Sequence, residues 1–342
     1  MDMTRKIFCS FTIVAAALLG PGTASAQTAQ KTIQLKAGTE SPEGTTFYET
    51  LHWLATEMDK RTNGRIKVTL YPNSALGTET DMVSAARNGS IDFVIIGAGN
   101  FASFVPELEF LSVPYLFPDR EAYLKAMDQD SKVWKLIQKY TAQRKLGVSV
   151  VAPTTIGSRW VANAKGPIHN LQEFRDAHLK MRVQANPLEA QIWSNYGAIP
   201  VNMPMPDVYT AAKQGIVTAA ENSPSILYNY NVYEVMPYLT KTEHSFYVAL
   251  VVMSDKTLTK IPDDLKDVFA KTIRDSGVHA LEVGQAFTDE AVENMKKKGA
   301  TIISDVDKES FIKPVEPLQE QVAQKVGATD LLKAVRELGG NH

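Results

Sequence analysis

The sequence has 342 residues and a formal net charge of −2 at pH 7, from 36 Lys and Arg and 38 Asp and Glu residues. This balance lacks the basic footprint with which proteins bind nucleic acid or an anionic membrane. The one cysteine, Cys9, leaves no pair for an internal disulfide, and a chain of this length can bury a sufficient core without one.

The N-terminal residues have the order of a secretory signal peptide. Basic residues precede an apolar stretch over 7–19, and small residues lead up to Ala26. The stretch is too short for a membrane span, and Gly and Pro follow it at once. We therefore expect residues 1–26 to be a signal peptide, cleaved near Ala26/Gln27, and the mature protein to be periplasmic. After residue 26, no apolar run approaches the roughly 20 residues of a membrane-spanning helix.

Runs with strand character alternate with helical patterns along the mature chain. The predicted strands cover 32–39, 65–72, 91–97, 146–153, 178–183 and 216–221. The predicted helices between them cover 46–60, 78–88, 121–144, 188–195 and 207–214. Such alternation predicts an α/β chain with largely parallel sheets. The length suits two such units, and no flexible linker separates them, so we expect several crossings between the halves.

A longer helical pattern begins after Pro262. Proline suits the first helical position, Asp263 and Asp264 favour the N-terminal end of the dipole, and the lysines at 296–298 favour the C-terminal end. One helix from Asp263 to Lys298 would be about 50 Å long at 1.5 Å per residue, which exceeds the width of a small domain. The pattern therefore predicts a helix that runs along both halves.

The sequence lacks the common catalytic motifs. It has no G-x-S-x-G elbow, no H-E-x-x-H motif and no glycine-rich phosphate loop, and its six histidines are scattered without ligand spacing. Carboxylates such as Glu40, Glu43, Glu79 and Glu221 could form an acid and base pair only where the fold brings two of them together. A secreted enzyme therefore stays open as an alternative, and no metal or cofactor is predicted.

Two arginines stand next to apolar strand residues. In HLKMRVQANP, the alternation of apolar residues places Arg182 with Lys180 on the face opposite Met181. Arg159 follows a strongly apolar strand in a similar way. Two guanidinium groups in such positions offer paired donors to one carboxylate. For each of them, an arginine in water or in a structural ion pair is the alternative.

Asn222 ends the small-residue run IVTAAEN, shortly before Pro224. Ligands of parallel α/β sheets bind beyond the carboxyl ends of the strands, so an asparagine at this point is well placed to hydrogen-bond a ligand. A turn or a helix cap is an equally common use of asparagine, and this alternative stays open.

Taken in order, these segments resemble the extracytoplasmic solute-binding proteins of tripartite ATP-independent periplasmic (TRAP) transporters, a family named for C4-dicarboxylate uptake. The matching stretches are YPNSALGTETDMVSAARNGSIDFVIIG, GSRWVANAKGPIHNLQEFRDAHLKMRVQANP, GAIPVNMPMPDVYTAAKQGIVTAAENSP and YEVMPYLTKTEHSFYVALVVMSDKTLTKIPDDLKDVF. The resemblance implies a two-domain, type II-like periplasmic binding protein fold of class α/β, with a long helix spanning both domains. The implied domains are 27–155 plus about 248–285 and 156–247 plus about 286–342, with the ligand in the cleft between them.

The resemblance also implies the ligand contacts. Arg182 falls on the family's principal carboxylate partner, Arg159 on a second cationic contact, and Asn222 on a ligand-contacting asparagine. The positions of polar groups that contact the rest of the ligand fall on Glu40, Glu79, Asn100 and Tyr247.

Departures from the family pattern bear on the ligand. Members that bind sialic acid have a carboxylate and an arginine at the positions of Gly97 and Asn100, and an asparagine at that of Ala185, so sialic acid is disfavoured. Met205 falls where some members stack an aromatic ring on the ligand. The alternatives for that ring are Trp160 and Trp193.

The implied function is the capture of an organic acid anion and its delivery to the small and large membrane subunits of a TRAP transporter, without catalysis. Glu40 and Glu79 would repel a second carboxylate, and hydroxyl groups suit them better. The expected ligand is therefore a uronate or aldonate sugar acid, with a C4-dicarboxylate second. We expect a monomer with no cofactor, no metal and no nucleic-acid partner. The alternatives are a secreted enzyme acting on an organic acid and a sensory binding protein.

Overall fold

Two β-sheets with helices packed against them dominate the structure, a computed structural model that describes residues 31–184 and 186–338. The predicted signal peptide and Ala185 lie outside the described residues. The strands are β1 Ile33–Gly38, β2 Ile66–Tyr71, β3 Phe93–Gly97, β4 Val148–Thr154, β5 Ser158–Asn163, β6 Lys180–Val183, β7 Ile199–Asn202, β8 Ala219–Asn222, β9 Tyr238–Phe246, β10 Ala249–Ser254 and β11 Thr301–Ile303.

The helices begin and end close to capping residues and glycines. They are α1 Thr46–Arg61, α2 Glu79–Asn88, α3 Ala98–Phe101, α4 Arg120–Met127, α5 Lys132–Gln143, α6 Leu171–Asp176, α7 Pro187–Asn195, α8 Val208–Lys213, α9 Pro224–Asn229, α10 Val232–Val235, α11 Asp255–Leu258, α12 Lys266–Lys297, α13 Lys308–Ile312, α14 Glu316–Val326 and α15 Thr329–Arg336. Short 3-10 segments cover Pro106–Ser112, Met205–Asp207 and Asp263–Leu265.

The first sheet has the strand order β2-β1-β3-β10-β4, and the second has the order β11-β9-β5-β8-β6-β7. The α/β class is confirmed, but both sheets are mixed. β10 runs antiparallel to β3 and β4, and β5 runs antiparallel to β8 and β9. The prediction of largely parallel sheets is wrong because the chain leaves the first sheet along β4 and returns to it along β10, so these paired strands run in opposite directions. The same holds in the second sheet for β5, which enters it, and β9, which leaves it.

The chain passes between the sheets at three places. Residues 155–157 link β4 of the first sheet to β5 of the second, and residues 247–248 lead back from β9 to β10. After β10, helix α12 leads to β11 in the second sheet. Ile156 and Tyr247, one in each short link, both line the cavity described below. The short links therefore bound the candidate site.

The long helix is present as predicted. A 3-10 turn at Asp263–Leu265 precedes α12, whose 32 residues span about 48 Å at 1.5 Å per residue. α12 packs on α1 and β4 beside the first sheet and on α9 and β11 beside the second. Gly277 permits the close approach to β4, since a Cβ there would lie 2.6 Å from Cδ of Pro153. Neither α12 nor any other helix of the described residues combines the length and apolar character of a membrane span.

The helix predicted over 121–144 is two helices, α4 and α5. The hydroxyl oxygen of Ser131 accepts a hydrogen bond from the backbone N–H of Trp134 at 2.9 Å, so this serine is the N-cap of α5. Its hydroxyl also donates to the carbonyl oxygen of Ala126 at 2.6 Å, near the end of α4. The apolar periodicity over 121–144 continues through Ser131, but this serine caps a new helix, so periodicity alone predicted one helix where there are two.

The C-terminal helices lie against elements that belong to the first half of the chain. α14 contacts the 3-10 segment Pro106–Ser112, and α15 contacts α5. The predicted division, however, assigns residues from about 286 to 342 to the second domain. The division into two domains stays a prediction.

Candidate ligand-binding site

A cavity of about 220 Å³ lies between residues of the two sheets and their short links. All seven predicted ligand contacts line it, namely Glu40, Glu79, Asn100, Arg159, Arg182, Asn222 and Tyr247. The volume is below the roughly 300–1,000 Å³ of pockets for drug-sized ligands. The cavity therefore suits a small, polar molecule.

Arg182 is the cavity arginine that no carboxylate of the described residues pairs with. It lies on β6, next to β7 and β8, and its residue surface is only 4% exposed. Its Nε donates to the carbonyl oxygen of Met203 at 2.9 Å, and burial lowers its pKa. Leaving a buried cation without a counter-ion is costly, so an anion that enters the cavity would find a strong partner here.

The environment of Arg182 differs from that of Lys180, although the two residues alternate onto the same face of β6. Lys180 is exposed, whereas Arg182 is buried. β6 has only four residues, and its first residue lies at the surface while Arg182, near its end, lines the cavity. Two residues on the same face of so short a strand can therefore differ in burial, as Lys180 and Arg182 do.

Arg159 on β5 lines the same cavity but already has a counter-ion. Its Nε donates to Oε2 of Glu221 at 2.5 Å, and its Nη2 donates to the other oxygen of the same carboxylate. Nε2 of His244 lies 3.2 Å from Oε2 of Glu221, and Nδ1 of His244 lies 2.8 Å from the hydroxyl of Thr242. This arrangement is the structural ion pair that the sequence left open as an alternative.

The ion pair sets the protonation of its members. Burial acts to raise the pKa of Glu221, but the charge of Arg159 and the hydrogen bond with His244 outweigh it and hold the pKa well below its usual range. Burial lowers the pKa of His244 despite its contact with Glu221. Glu221 is therefore ionised and neutralises Arg159 in the ligand-free protein.

Asn222 ends β8 beside the cavity. Its Oδ1 accepts a hydrogen bond from the backbone N–H of Ser223 at 2.9 Å, which is a local turn contact. Among the described residues, the one hydrogen-bond partner of its Nδ2 is the thioether sulfur of Met205, at 3.6 Å. A thioether is a weak acceptor, so the amide N–H groups are available to a better acceptor in the cavity.

Glu40 and Glu79 line the cavity from the side of the first sheet. The backbone N–H of Glu79 donates to Oε1 of Glu40 at 2.7 Å. Oε2 of Glu79 accepts from the backbone N–H of Gly97 at 3.0 Å and from Nδ2 of Asn100 at 2.9 Å. Among the described residues, the second oxygen of each carboxyl group has no hydrogen-bond donor. These oxygens can therefore accept from hydroxyl groups of a ligand.

The two carboxyl groups are also harder to ionise than ordinary glutamates. Burial, together with the charge of Glu40, raises the pKa of Glu79 to about 7. Burial raises the pKa of Glu40 as well, although the N–H of Glu79 and the charge of Arg182 oppose it.

Over the parts of the chain that the structure describes, no group of three or more His, Cys, Asp or Glu side chains is arranged to hold a metal ion.

Tyr247 connects the two sides of the site. Its hydroxyl donates to Oε1 of Gln184 at 3.3 Å, and the guanidinium carbon of Arg159 lies 4.6 Å from the centre of its ring. Gln184 in turn donates through Nε2 to Oε1 of Glu189 at 2.9 Å. Burial and the charge of Glu221 raise the pKa of Glu189 to about 7. Sequence reasoning missed Glu189, because on α7 it looks like any first-turn helix glutamate.

The aromatic residues of the cavity differ from those expected. Met205 lines the cavity, but the predicted alternatives Trp160 and Trp193 do not. Trp193 lines a smaller cavity nearby, and Trp160 lines a separate cavity. The aromatic rings that face the ligand cavity are Phe47, Tyr230 and Tyr247. Phe47 lies in α1 and Tyr230 directly follows α9, where an aromatic residue is indistinguishable in sequence from a core residue.

Comparison with known proteins adds relatives that cover most of the chain. The family model described as bacterial extracellular solute-binding protein, family 7, matches residues 37–325. A solute-binding protein of Sulfitobacter sp. (strain NAS-14.1) is 30% identical over 311 residues, which cover 90% of this chain and 92% of that protein.

Solved structures with the same fold include two TRAP periplasmic solute-binding proteins. One, from Polaromonas sp. JS666 and bound to D-erythronate, has a TM-score of 0.80 at 27% identity and covers 89% of this chain and 98% of its own. The other, from Pseudomonas putida F1 with bound D-glucuronate, has a TM-score of 0.79 at 24% identity and covers 89% of this chain and 96% of its own.

Proposed function

Because the chain belongs to the bacterial extracellular solute-binding proteins of family 7, we propose that it captures an organic acid anion in the periplasm. The acid is held by its carboxylate and delivered to the small and large membrane subunits of a TRAP transporter. Proteins of this family bind solutes for transport, so the proposed role consists of binding and release without catalysis.

The proposal depends above all on the difference between the two cavity arginines. Glu221 neutralises Arg159, whereas Arg182 is buried and unpaired among the described residues. A planar guanidinium offers parallel donors that match the two oxygens of a carboxylate. The Nδ2 group of Asn222, whose hydrogen-bond partner among the described residues is a thioether, adds a further donor. We place the ligand's carboxylate against Arg182 and Asn222.

The carboxyl groups of Glu40 and Glu79 favour a ligand that carries hydroxyl groups on its remaining atoms. Their free oxygens accept hydrogen bonds, and their raised pKa values disfavour a further negative charge beside them. We therefore propose a uronate or aldonate sugar acid, with a C4-dicarboxylate second. The ligands of the two solved relatives, D-glucuronate and D-erythronate, are acids with hydroxyl groups and support this choice.

We also propose that the sheets belong to two domains, 27–155 plus about 248–285 and 156–247 plus about 286–342, which close over the ligand. A bound acid would join the arginine and asparagine of the second sheet to the glutamates beside the first. The ligand would then stabilise the closed state by its differential affinity for the closed and open states.

A thermal-shift assay on the chain without residues 1–26 tests the proposal. Sugar acids and C4-dicarboxylates are added singly, and we expect a rise in melting temperature with at least one sugar acid. Arg182→Met should weaken its binding by about 2–5 kcal/mol, the usual loss when one partner of a buried charge pair is removed. Arg175→Met, at an exposed arginine of α6, is the matched control and should bind as the wild type does.

Two results would contradict the proposal. An unchanged ligand-induced shift in the Arg182 variant would refute the assignment of the carboxylate partner. Conversion of the bound acid during long incubation, detected by mass spectrometry, would favour an enzyme. Recovery of the acid unchanged is the result expected for a transport protein.

A further inference from the structure

A second, smaller cavity of about 30 Å³ lies behind the ligand cavity. Of the described residues, Arg159 and Tyr247 alone line both cavities. These two side chains therefore form the wall between them. Arg159 is fixed by its ion pair with Glu221, so the ring of Tyr247 is the part of the wall that a substitution can remove without breaking that pair.

Tyr247 is held firmly in this wall. Its backbone N–H donates to the carbonyl oxygen of Gly157 at 3.1 Å, and its carbonyl oxygen accepts from the hydroxyl groups of Tyr123 at 3.1 Å and Thr155 at 3.2 Å. Its own hydroxyl donates to Gln184. Contacts at both ends of the residue therefore keep the ring between the cavities.

Gly97 makes room for the end of this ring. A Cβ built on Gly97 would lie 1.9 Å from the hydroxyl oxygen of Tyr247 and 2.6 Å from its Cζ. The backbone φ of Gly97 is −65°, which any residue adopts, so its backbone conformation does not require glycine. The close approach of Tyr247 is what excludes a side chain at this position.

We propose that Tyr247, seated against Gly97, determines ligand specificity by closing the cavity and thereby setting the largest acid that the protein binds. The inference rests on the proposed function and deepens it. An acid that fits the 220 Å³ cavity is accepted, and a longer acid meets the phenol ring.

The side chains that line the second cavity indicate which longer acids could bind once the ring of Tyr247 is removed. Its lining includes the hydroxyl-bearing Ser112 and Ser245 and the polar groups of Glu189 and His244. Hydroxyl groups of a ligand can form hydrogen bonds there, whereas a bare alkyl chain would bury these polar groups without adding a hydrogen bond. Removal of the ring should therefore admit longer polyhydroxy acids and not alkyl acids of equal length.

The test measures binding of aldonic acids of increasing length, from four to nine carbons, to the wild type and to variants of Tyr247. The wild type is expected to show a length limit. Tyr247→Ala should bind an acid beyond that limit about tenfold or more tightly than the wild type does, the usual scale for one or more added groups. Tyr247→Phe retains the ring and should keep the wild-type limit. Unbranched alkyl acids of matching length serve as the negative ligand control.

Gly97→Ala changes the position of the Tyr247 ring instead of removing the ring. It therefore tests the inference even if Tyr247→Ala does not fold. The new methyl group should push the ring toward the ligand, so binding of the longest acid that the wild type accepts should fall about tenfold more than binding of the shortest. Where Tyr247→Ala folds, Gly97→Ala in that background should show no such length dependence.

The outcomes separate this inference from the proposed function. If the wild type binds no organic acid, the proposed function fails and the inference with it. If the wild type binds acids but Tyr247→Ala keeps the same length limit, the inference alone is overturned. An equal loss of long and short acids in Gly97→Ala, or no loss, would overturn it as well.

Discussion

Replacement of Glu79 by glutamine should change the pH dependence of stability in a way that identifies a buried carboxyl group with a raised pKa. Glutamine keeps the size of the side chain and one oxygen that can accept from the backbone of Gly97 and from Asn100. It removes the charge that wild-type Glu79 acquires as the pH rises. Ligand-free protein is the right material, because a bound acid would itself alter the protonation of the site.

The magnitude follows from the pKa of Glu79, which burial and the charge of Glu40 raise from 4.5 to about 7. The folded protein therefore keeps a proton that the unfolded chain releases between these values, so the free energy of unfolding falls as the pH rises through this window. At about 1.4 kcal/mol per tenfold change, ionised Glu79 costs the folded state about 3 kcal/mol at pH 8 and almost nothing at pH 4.5. At pH 8, Glu79→Gln should therefore regain most of this lost free energy of unfolding.

Urea unfolding of the wild type and Glu79→Gln at pH 5 and pH 8 measures the effect. The free energy of unfolding of the variant, relative to the wild type, should be about 2–3 kcal/mol higher at pH 8 than at pH 5. Glu282→Gln, at an exposed position on α12, is the matched control and should show no pH-dependent difference. An equal difference between variant and wild type at both pH values would refute the reasoning.

Two further substitutions test the buried ion pair of the site and the packing of the long helix. Glu221→Gln should lower the free energy of unfolding at pH 7 by about 3–5 kcal/mol, because it leaves buried Arg159 without its counter-ion; a loss below about 1 kcal/mol in urea unfolding would contradict a buried pair. Gly277→Ala should cost about 1–3 kcal/mol despite the better helix propensity of alanine, because its Cβ would lie 2.6 Å from Cδ of Pro153. Gly166→Ala, where a Cβ would meet nothing within 4 Å, is the neutral control in the same unfolding experiment.

Local sequence patterns predicted the strands that lie next to helices in the chain, such as β1, β2 and β3, to within about two residues. They did not predict β5 and β9. The apolar and polar residues of β5 are all buried, so no alternation marks it. β9 includes Glu243 at a φ of +45°, a backbone conformation unusual within a strand. Both strands depend on pairing with distant segments, which periodicity along the chain cannot show.

The positions of the site residues could be predicted, because the resemblance and the ends of strands both point to them. Their individual roles could not. In the antiparallel pairing of β5 with β8, Val161 lies opposite Glu221, so Arg159, two residues along the same face, becomes the diagonal neighbour of that carboxylate. Arg182 lies on β6, on the other side of β8, opposite Ala220, and no acidic residue within the described part of the chain forms an ion pair with it. Strand register, and not residue type, therefore separates the paired arginine from the free one.

This separation determines which charge the cavity can accept. Glu221 cancels Arg159, and a single carboxylate on the ligand would cancel Arg182. A second ligand carboxylate would then lie in a space shared with Glu40 and Glu79, whose raised pKa values show how poorly the space tolerates negative charge. It could enter only with uptake of a proton, so its binding would weaken as the pH rises through 7. A hydroxyl group carries no such cost and donates to the free carboxyl oxygens, and charge balance therefore favours a hydroxylated monocarboxylate over a dicarboxylate.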